Sequence, residues 1–318
     1  MKNEEIKVSV IVLTFNHEKY IAQALDSILM QKVDFNYEIL VGDDASSDET
    51  ANIVRQYAAR HADKIYAHFR LRNIGAACNA YSLIQKAQGE YLAFCEGDDF
   101  WLTEDKLSQQ VRFLDSNPAF IGCSHRCRVV DGDGIALKKQ KISWVREKTR
   151  FSLSDFKGVY LPGQTATIMK RNIFKNGEKD CSFLYQINRN ISDRTSTLLY
   201  LTKGDFGLIP QVMSAYRRVD GGFQSLTDTL YTHNPNSLRF ELDFTEKLDE
   251  LAKTRWKLEN IFRPYYKQLY ASAVYHFFKN PCANGYELVA RTAAHIGCGI
   301  IHPLAFGYGA CQKIWNLI

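Results

Sequence analysis

The chain has 318 residues, of which 46% are hydrophobic and 24% charged, with 40 basic residues against 35 acidic for a net charge of +5. That length and balance suit a globular protein with one large domain and an appendage, or two domains. The positive surplus is mild. It favours small anionic partners such as nucleotides or acidic headgroups, and with no basic stripe or recognisable module it excludes a DNA- or RNA-binding role.

Met1-Lys2-Asn3-Glu4-Glu5 leads directly into a strand-like run with no basic-then-apolar leader, so the protein is expected to stay inside the cell, in the cytoplasm. Val8 to Leu13 is a nearly continuous, β-branched apolar run, as expected for a strand covered on both faces. Tyr20, Ile21, Ala24, Leu25, Ile28 and Leu29 fall on one side of a helix. Tyr37 to Val41 reads as a second strand, and Ser46 with Glu49 as a capping box opening a second helix through Ile53, Val54 and Tyr57. Ile65 to Phe69 is a third strand, Ala76 to Ala87 a third helix, and Tyr91 to Cys95 a fourth strand. This alternation predicts an α/β fold, a Rossmann-like parallel sheet with helices on both faces, whose ligands bind beyond the carboxyl ends of the strands. From about Val130 the rhythm becomes irregular, with a turn at Asp131-Gly132-Asp133-Gly134, and beyond about Ser225 the sequence reads as helical. The eight cysteines form no Cys-x-x-Cys pair and mostly sit in apolar runs, which fits free thiols in a reducing compartment. Cys123, His125 and Cys127 alternate along one strand, and one strand cannot wrap three ligands tetrahedrally around zinc.

The strand-end loops carry the chemistry. Thr14-Phe15-Asn16-His17 is not a glycine-rich dinucleotide fingerprint, and no phosphate-binding Gly-x4-Gly-Lys-Ser/Thr occurs in the chain. Gly42-Asp43-Asp44-Ala45-Ser46-Ser47-Asp48 offers two acids that could accept hydrogen bonds from a base or ribose, or could cap the following helix. Glu96-Gly97-Asp98-Asp99-Phe100-Trp101 clusters three carboxylates, the donor type that shares Mg²⁺ or Mn²⁺ with phosphate oxygens.

Together these segments resemble the inverting family-2 glycosyltransferases with the GT-A fold. The resemblance rests on Val8 to Asn16, Gly42 to Thr50, Asn73-x-Gly75-x3-Asn79, Gly89-Glu90-Tyr91, Glu96 to Trp101, Lys106 with Gln110, Ser192-Asp193-Arg194, and Tyr216-Arg217-Arg218-x-x-Gly221-Gly222-x-x-Ser225. It implies a GT-A catalytic domain over 1–225, with a nucleotide-binding half to 130 and an acceptor half from 131, followed by a C-terminal helical region over 226–318. It also implies that Thr14, Phe15 and Asn16 line the nucleotide pocket, that Asp44 binds the base, usually uracil, and that Asp98 contacts the donor. By the same resemblance Asp99 holds Mn²⁺ or Mg²⁺ on the diphosphate, Asp193 is the catalytic base, and Tyr216-Arg217 opens a segment that closes over the diphosphate. Many relatives carry a histidine two residues after Arg217, where this chain has Val219.

The implied reaction moves a sugar from a nucleotide-sugar donor, a UDP-sugar, to a hydroxyl of a glycan or lipid-linked glycan acceptor, as in bacterial surface polysaccharide synthesis. A cation and Arg217 would offset charge on the leaving diphosphate, and one carboxylate would take the acceptor proton. A lone base suits this chemistry better than the paired carboxylates of a glycosidase. The non-enzymatic alternative is a nucleotide-sugar or glycan-binding module. Ala294 to Cys311 contains no formally charged residue but several glycines, which is too short and interrupted to span a bilayer. The segment from about Ala283 is instead expected to tether the protein peripherally to membrane lipid or a membrane partner.

Overall fold

A computed structural model describes residues 5–138, 141–175, 181–218, 236–279 and 283–297. In chain order the elements are β1 (Ile6–Thr14), α1 (Ile21–Leu29), β2 (Asn36–Asp43), α2 (Thr50–Arg60), β3 (Ile65–Phe69), α3 (Ala76–Ile84) and β4 (Tyr91–Glu96). There follow β5 (Phe100–Trp101), α4 (Lys106–Ser116), β6 (Phe120–Val130), β7 (Arg150–Phe151), α5 (Leu153–Phe156), β8 (Met169–Arg171) and α6 (Phe183–Gln186). The remainder are α7 (Asp193–Leu201), β9 (Asp205–Arg217), α8 (Ser237–Trp256), α9 (Arg263–Lys279) and α10 (Ala283–Ile296). They fall into two compact units, 1–155 with 160–222, and 156–159 with 223–318.

The first unit is built on one sheet of order β3-β2-β1-β4-β8-β6-β9-β5, with β7 added beside β9. β3, β2, β1 and β4 run parallel, and β6 and β9 pair in parallel further along. β8 enters antiparallel between β4 and β6. The α/β expectation therefore holds, with a parallel half over β1 to β4 and a mixed extension.

Both faces of the parallel half are covered, which explains its unbroken apolar strands. Val8, Val10 and Val12 of β1 and Ile39 and Val41 of β2 pack with Ile21, Leu25 and Ile28 of α1 and Val54 of α2. The alternate residues Ile11, Leu40 and Leu92 point to the other face, against Leu83 and Ile84 of α3. The register pairs Thr14 with Asp43 and Leu13 with Glu96, so β1, β2 and β4 end at one level. Their loops thus emerge side by side.

The expected capping box does not form. The helix starts at Thr50, and the Ser46 hydroxyl donates to Asp43 Oδ1 (2.5 Å). The helix end is met by Asp48, whose Oδ1 accepts from Thr50 N (3.0 Å). Cys123, His125 and Cys127 lie along β6, and among the described residues no group of three or more metal-ligating side chains is assembled.

In the second unit, α8, α9 and α10 pack as helices. Val289 of α10 joins Ala273, Val274 and Phe277 of α9 in one cluster, while His295 stacks on Tyr266 with ring centroids 4.0 Å apart. Arg291 of α10 donates to Asp243 and Glu246 of α8. No helix among the described residues is long and apolar enough to cross a membrane. Most of the expected tether, from 298 onward, and Val219, Gly221, Gly222 and Ser225 of the late motif lie outside the described residues.

Candidate active site

The loops at the ends of β1 and β2 are clasped to each other. Asn16, at φ 56°, donates its N–H to Ser46 Oγ (2.9 Å) and accepts from Ser47 N (2.9 Å) at Oδ1. His17 N donates to Thr50 Oγ1 (2.8 Å), and Glu18 N to Asp48 Oδ2 (3.1 Å). Within this clasp Phe15 is exposed, whereas Thr14 is buried and its hydroxyl has no hydrogen-bond partner. Of the three residues expected to line a nucleotide pocket, Phe15 offers an accessible ring, Thr14 an unsatisfied hydroxyl, and Asn16 holds the loops together.

Asp44 is also buried. Its two oxygens accept the backbone N–H groups of Ile74 (2.8 Å) and Gly75 (2.9 Å). Gly75 adopts φ +92°, and a Cβ there would lie 2.4 Å from the Arg189 carbonyl oxygen, so only glycine fits. Asn79 closes the motif by donating to the Gly42 carbonyl (2.8 Å). The Asp44 carboxylate thus anchors the loop beside the strand ends and retains lone pairs for a further donor.

At the end of β4 the carboxylates are gathered. Asp99 is 1% exposed; its Oδ1 accepts from Arg217 N (2.9 Å) and its Oδ2 from the Gln164 amide (2.7 Å), which also reaches Glu96 (3.3 Å). Asp98, one residue earlier, is about one-third exposed and lies with Oδ2 3.9 Å from His17 Nε2. Burial and then the charge of Asp98 hold the Asp99 carboxyl well above the usual carboxylate range, against the opposing Arg217 and Gln164 hydrogen bonds. Glu96 is pushed the same way by burial and by the charges of Asp99, Asp98 and Asp193. Glu96 thus feels the charges of three further carboxylates, and Asp99 that of Asp98. Hard oxygen donors under unrelieved negative charge fit a Mg²⁺- or Mn²⁺-type ion. The fit is of the kind in which one or two carboxylates share the ion with substrate phosphates rather than forming a complete protein cage.

Arg217, at the end of β9, is buried, and its guanidinium is fully engaged. Nε donates to the Asp98 carbonyl (2.8 Å), NH1 to the Gly132 carbonyl (2.7 Å) and NH2 to Gln23 Oε1 (2.6 Å), over the rings of Tyr20 and Phe100. In this geometry it fixes the Asp98–Asp99 turn.

Asp193 is the first residue of α7, with Ser192 at the N-cap, so it stands in the positive end of the helix dipole. Its side chain is exposed to solvent, yet the protein packed around it raises its carboxyl above its usual range, and the ammonium of Lys170 opposes the rise. Lys170, on β8, is 6% exposed, lies over Phe94 and Tyr200, and donates to Ser196 Oγ (2.8 Å) one turn into α7. Burial lowers its own pKa to about 8, with Asp193 acting to raise it.

The structure thus brings Asp98, Asp99, Asp193 and Arg217 to one end of the sheet, with Thr14, Phe15, Asn16 and Asp44 on the adjoining loops. Sequence reasoning missed Gln164 and Lys170. Gln164 has no motif around it, and Lys170 in Met169-Lys170-Arg171 reads as an ordinary basic surface residue until β8 is seen to be internal. Lys106 and Gln110 prove to be packing residues: Lys106 Nζ sits 3.8 Å above the Trp101 ring and donates to Gln110 Oε1 (2.8 Å).

Comparison with known proteins bears directly on this arrangement. Residues 9–177 match the family model described as Glycosyl transferase family 2. An uncharacterized protein of Mycobacterium tuberculosis is 30% identical over 221 residues, covering 66% of this chain and 58% of that protein. The chain thus spans less than two thirds of the length of such relatives. Two Bacillus subtilis proteins match about a third of the chain. The provisionally named glycosyltransferase EpsE is 36% identical over 36% of this chain and 41% of its own. TuaG, provisionally named a teichuronic acid biosynthesis glycosyltransferase, is 35% identical over 36% of this chain and 44% of its own. Among solved structures, S. aureus TarS 1-349 in complex with UDP-GlcNAc shares the fold at TM-score 0.54 and 17% identity, covering 98% of this chain and 92% of that one. The mannosyltransferase PcManGT of Pyrobaculum calidifontis, in complex with GDP-Man and Mn2+, aligns at TM-score 0.50 and 18% identity over 98% and 84% of the two chains.

Proposed function

The chain belongs to glycosyl transferase family 2, and from that premise we propose that it is a transferase that moves a sugar from a UDP-sugar to an acceptor hydroxyl with inversion. The observation that carries the proposal is that Asp193, at the start of α7, lies near enough to the carboxylate turn Glu96–Asp99 for its charge to act on Glu96. A base and a charge-dense donor end then face one reacting centre. Complexes of the neighbouring folds with UDP-GlcNAc and with GDP-Man and Mn2+ support a nucleotide-sugar donor, and the teichuronic acid relative supports an acceptor in surface polysaccharide synthesis.

In this reading Phe15, Thr14 and Asn16 border the nucleotide, and Asp44 accepts from the N–H edge of the base. Asp98 and Asp99 would hold Mn²⁺ or Mg²⁺, which would supply charge neutralisation to the departing diphosphate. Asp193 accepts the acceptor hydroxyl proton as the new glycosidic C–O bond forms and the anomeric C–O bond to the diphosphate breaks. Attack opposite the leaving group inverts the anomeric centre. A carboxyl raised towards neutrality is a stronger base than an ordinary aspartate, and base catalysis of this kind contributes roughly 10²–10⁴-fold. Lys170 favours the ionised form of that carboxyl, and Arg217 acts on the donor through the turn that it braces. The work is assigned to the cytoplasmic face of the membrane. α10 buries Val289, Ala293 and Ile296, and peripheral attachment is assigned to the segment from about Ala283.

A thermal-shift screen of nucleoside diphosphates with and without Mn²⁺ tests the donor assignment. A ligand at 100 times its Kd raises stability by about 2.7 kcal/mol. UDP with Mn²⁺ is expected to give the largest rise, followed by transfer from the matching UDP-sugar. A protein indifferent to every nucleoside diphosphate would overturn the proposal.

A further inference from the structure

We infer that His17 is a nitrogen ligand of the divalent cation held at the Asp98–Asp99 turn, and so sets which metal the enzyme prefers. The inference rests on the donor reading above and adds a residue that the motif logic leaves unused.

The position of His17 is fixed by its backbone. Its N–H donates to Thr50 Oγ1 (2.8 Å), and its carbonyl accepts from Tyr20 N and Ile21 N (2.9 Å each) where α1 begins. The imidazole therefore cannot drift with a loose loop. Nε2 lies 3.9 Å from Asp98 Oδ2, with the two side chains 20% and 34% exposed. That distance is too long for a hydrogen bond. It is the span of two atoms bound to one ion, since two metal–ligand bonds of about 2.1 Å place their ends roughly 3–4 Å apart.

A second observation concerns the other ring nitrogen. His17 Nδ1 is buried without a hydrogen-bond partner, and so is the hydroxyl of Thr14, a residue 3% exposed. A Cβ built on Gly97 would lie 2.8 Å from both atoms, so both face the same gap, kept open by the missing side chain. Buried polar atoms are rarely left unsatisfied without a functional reason. A metal-binding histidine usually donates its second N–H to an oxygen, which fixes the tautomer with the free lone pair on the ligating nitrogen. Thr14 Oγ1 is the nearest oxygen shown across that gap, unbonded to Nδ1 here; a small closure that joined them would put the Nε2 lone pair on the Asp98 side.

A protein contribution of one imidazole and one carboxylate would leave the remaining positions of the ion to substrate phosphate and water. Imidazole favours the later first-row metals over Mg²⁺, with affinity rising from Mn²⁺ to Co²⁺. A site of carboxylates and phosphates alone would discriminate less.

The test titrates Mg²⁺, Mn²⁺ and Co²⁺ into the full chain at fixed UDP, and in parallel at fixed GDP, reading the melting temperature. Half-saturation by Co²⁺ is expected at a concentration at least ~10-fold lower than by Mg²⁺, and His17→Gln and His17→Asn should each shrink that ratio at least ~10-fold. The visible spectrum of the Co²⁺–UDP complex should change in both variants. An unchanged ratio and spectrum in the folded variants would overturn the ligand assignment while leaving the donor reading standing. No metal-dependent shift with either nucleotide would overturn both.

Discussion

Replacing Asp193 by Asn separates a catalytic base from a helix-end residue. The asparagine keeps the shape and sits at the first position of α7, behind a Ser192 N-cap that it does not disturb. Two small effects on stability oppose each other. Losing a charge from the positive end of the helix costs about 0.3–1 kcal/mol, while removing a carboxylate that enclosure already disfavours returns part of that. At about 2–4 °C per kcal/mol for a unit of this size, the melting temperature should move by less than ~4 °C. The transition state loses far more. A fall in transfer of at least ~10²-fold is about 2.7 kcal/mol, because each decade is worth 1.36 kcal/mol. The assay is single-turnover transfer beside UDP affinity, and affinity should stay within a few-fold. The pH profile adds a check on sign. The base works deprotonated, and its raised pKa means that transfer falls as pH drops through a range above that of an ordinary aspartate. Lys170→Met removes the charge that holds the pKa down, so the acid limb should move to higher pH. Transfer by Asp193→Asn within a few-fold of the unsubstituted enzyme would refute the base assignment, whatever the profile of the Lys170 variant.

Asp98→Asn should abolish the Mn²⁺-dependent part of UDP stabilisation in a protein that melts normally, since Asp98 is partly exposed and its side chain braces nothing. Asp99→Asn should lose the same signal and also lower the melting temperature, because its amide would present N–H groups to Gln164, a donor already oriented by Ala166 N (2.7 Å); a normally melting Asp99→Asn would show that this bracing is dispensable. Asp44→Ala should weaken UDP and, by orphaning the Ile74 and Gly75 N–H groups, cost about 1–3 kcal/mol of stability, visible in urea melts. Lys106→Met should stabilise the fold. Burial lowers the Lys106 pKa from 10.5 to about 7, a difference of roughly 5 kcal/mol in the penalty for its charged form. Below pH 7 both folded and unfolded chains carry the proton and the cost is complete; between 7 and 10.5 only the unfolded chain does, so the melting-temperature gap between variant and parent should close as pH rises. The neighbouring Cys95, Cys123 and His125 are all held neutral by burial and do not reverse the sign.

The nucleotide-binding half was legible because its strands are buried on both faces and its helices on one. Each element therefore carries its own periodicity, from the run Val8–Leu13 to the striped α1. The extension was not. β5 and β7 are two residues long and β8 three, too short for any period, so the entry of an antiparallel strand between β4 and β6 leaves no local trace. Asp43 shows a second limit. Ser46-x-x-Glu49 satisfies the capping pattern, yet Ser46 has a closer acceptor in the preceding strand end, and tertiary geometry overrides the local signal. Arg217 shows a third. A paired Arg217-Arg218 reads as charge offered to a ligand, and only the positions of the Asp98, Asp131 and Gly132 carbonyls reveal that Arg217 is an internal brace.

The doubled acids at the two strand ends have a common physical logic. Successive residues leaving a strand point to opposite sides, so an Asp-Asp pair offers each strand end two carboxylates facing different ways. At β2 the Asp43 carboxylate accepts from Ser46 within its own loop, while Asp44 reaches out to Ile74 and Gly75. At β4 the inward member, Asp99, holds Arg217 and Gln164, while Asp98 is left towards the cleft. A carboxylate accepts several hydrogen bonds at once, so the same group can tie a distant loop and still meet a base or an ion. The tie also explains the raised proton affinity at the β4 turn: the turn is rigid because its acid is buried, and burial is what disfavours the charge. A cation arriving with a diphosphate would relieve that repulsion, so donor binding and stiffening of the turn should be one event. Hydrogen exchange at Gly97 to Trp101 should therefore slow on addition of UDP with Mn²⁺ and not with UDP alone. Equal protection in the two conditions would mean that the turn is set before the metal arrives.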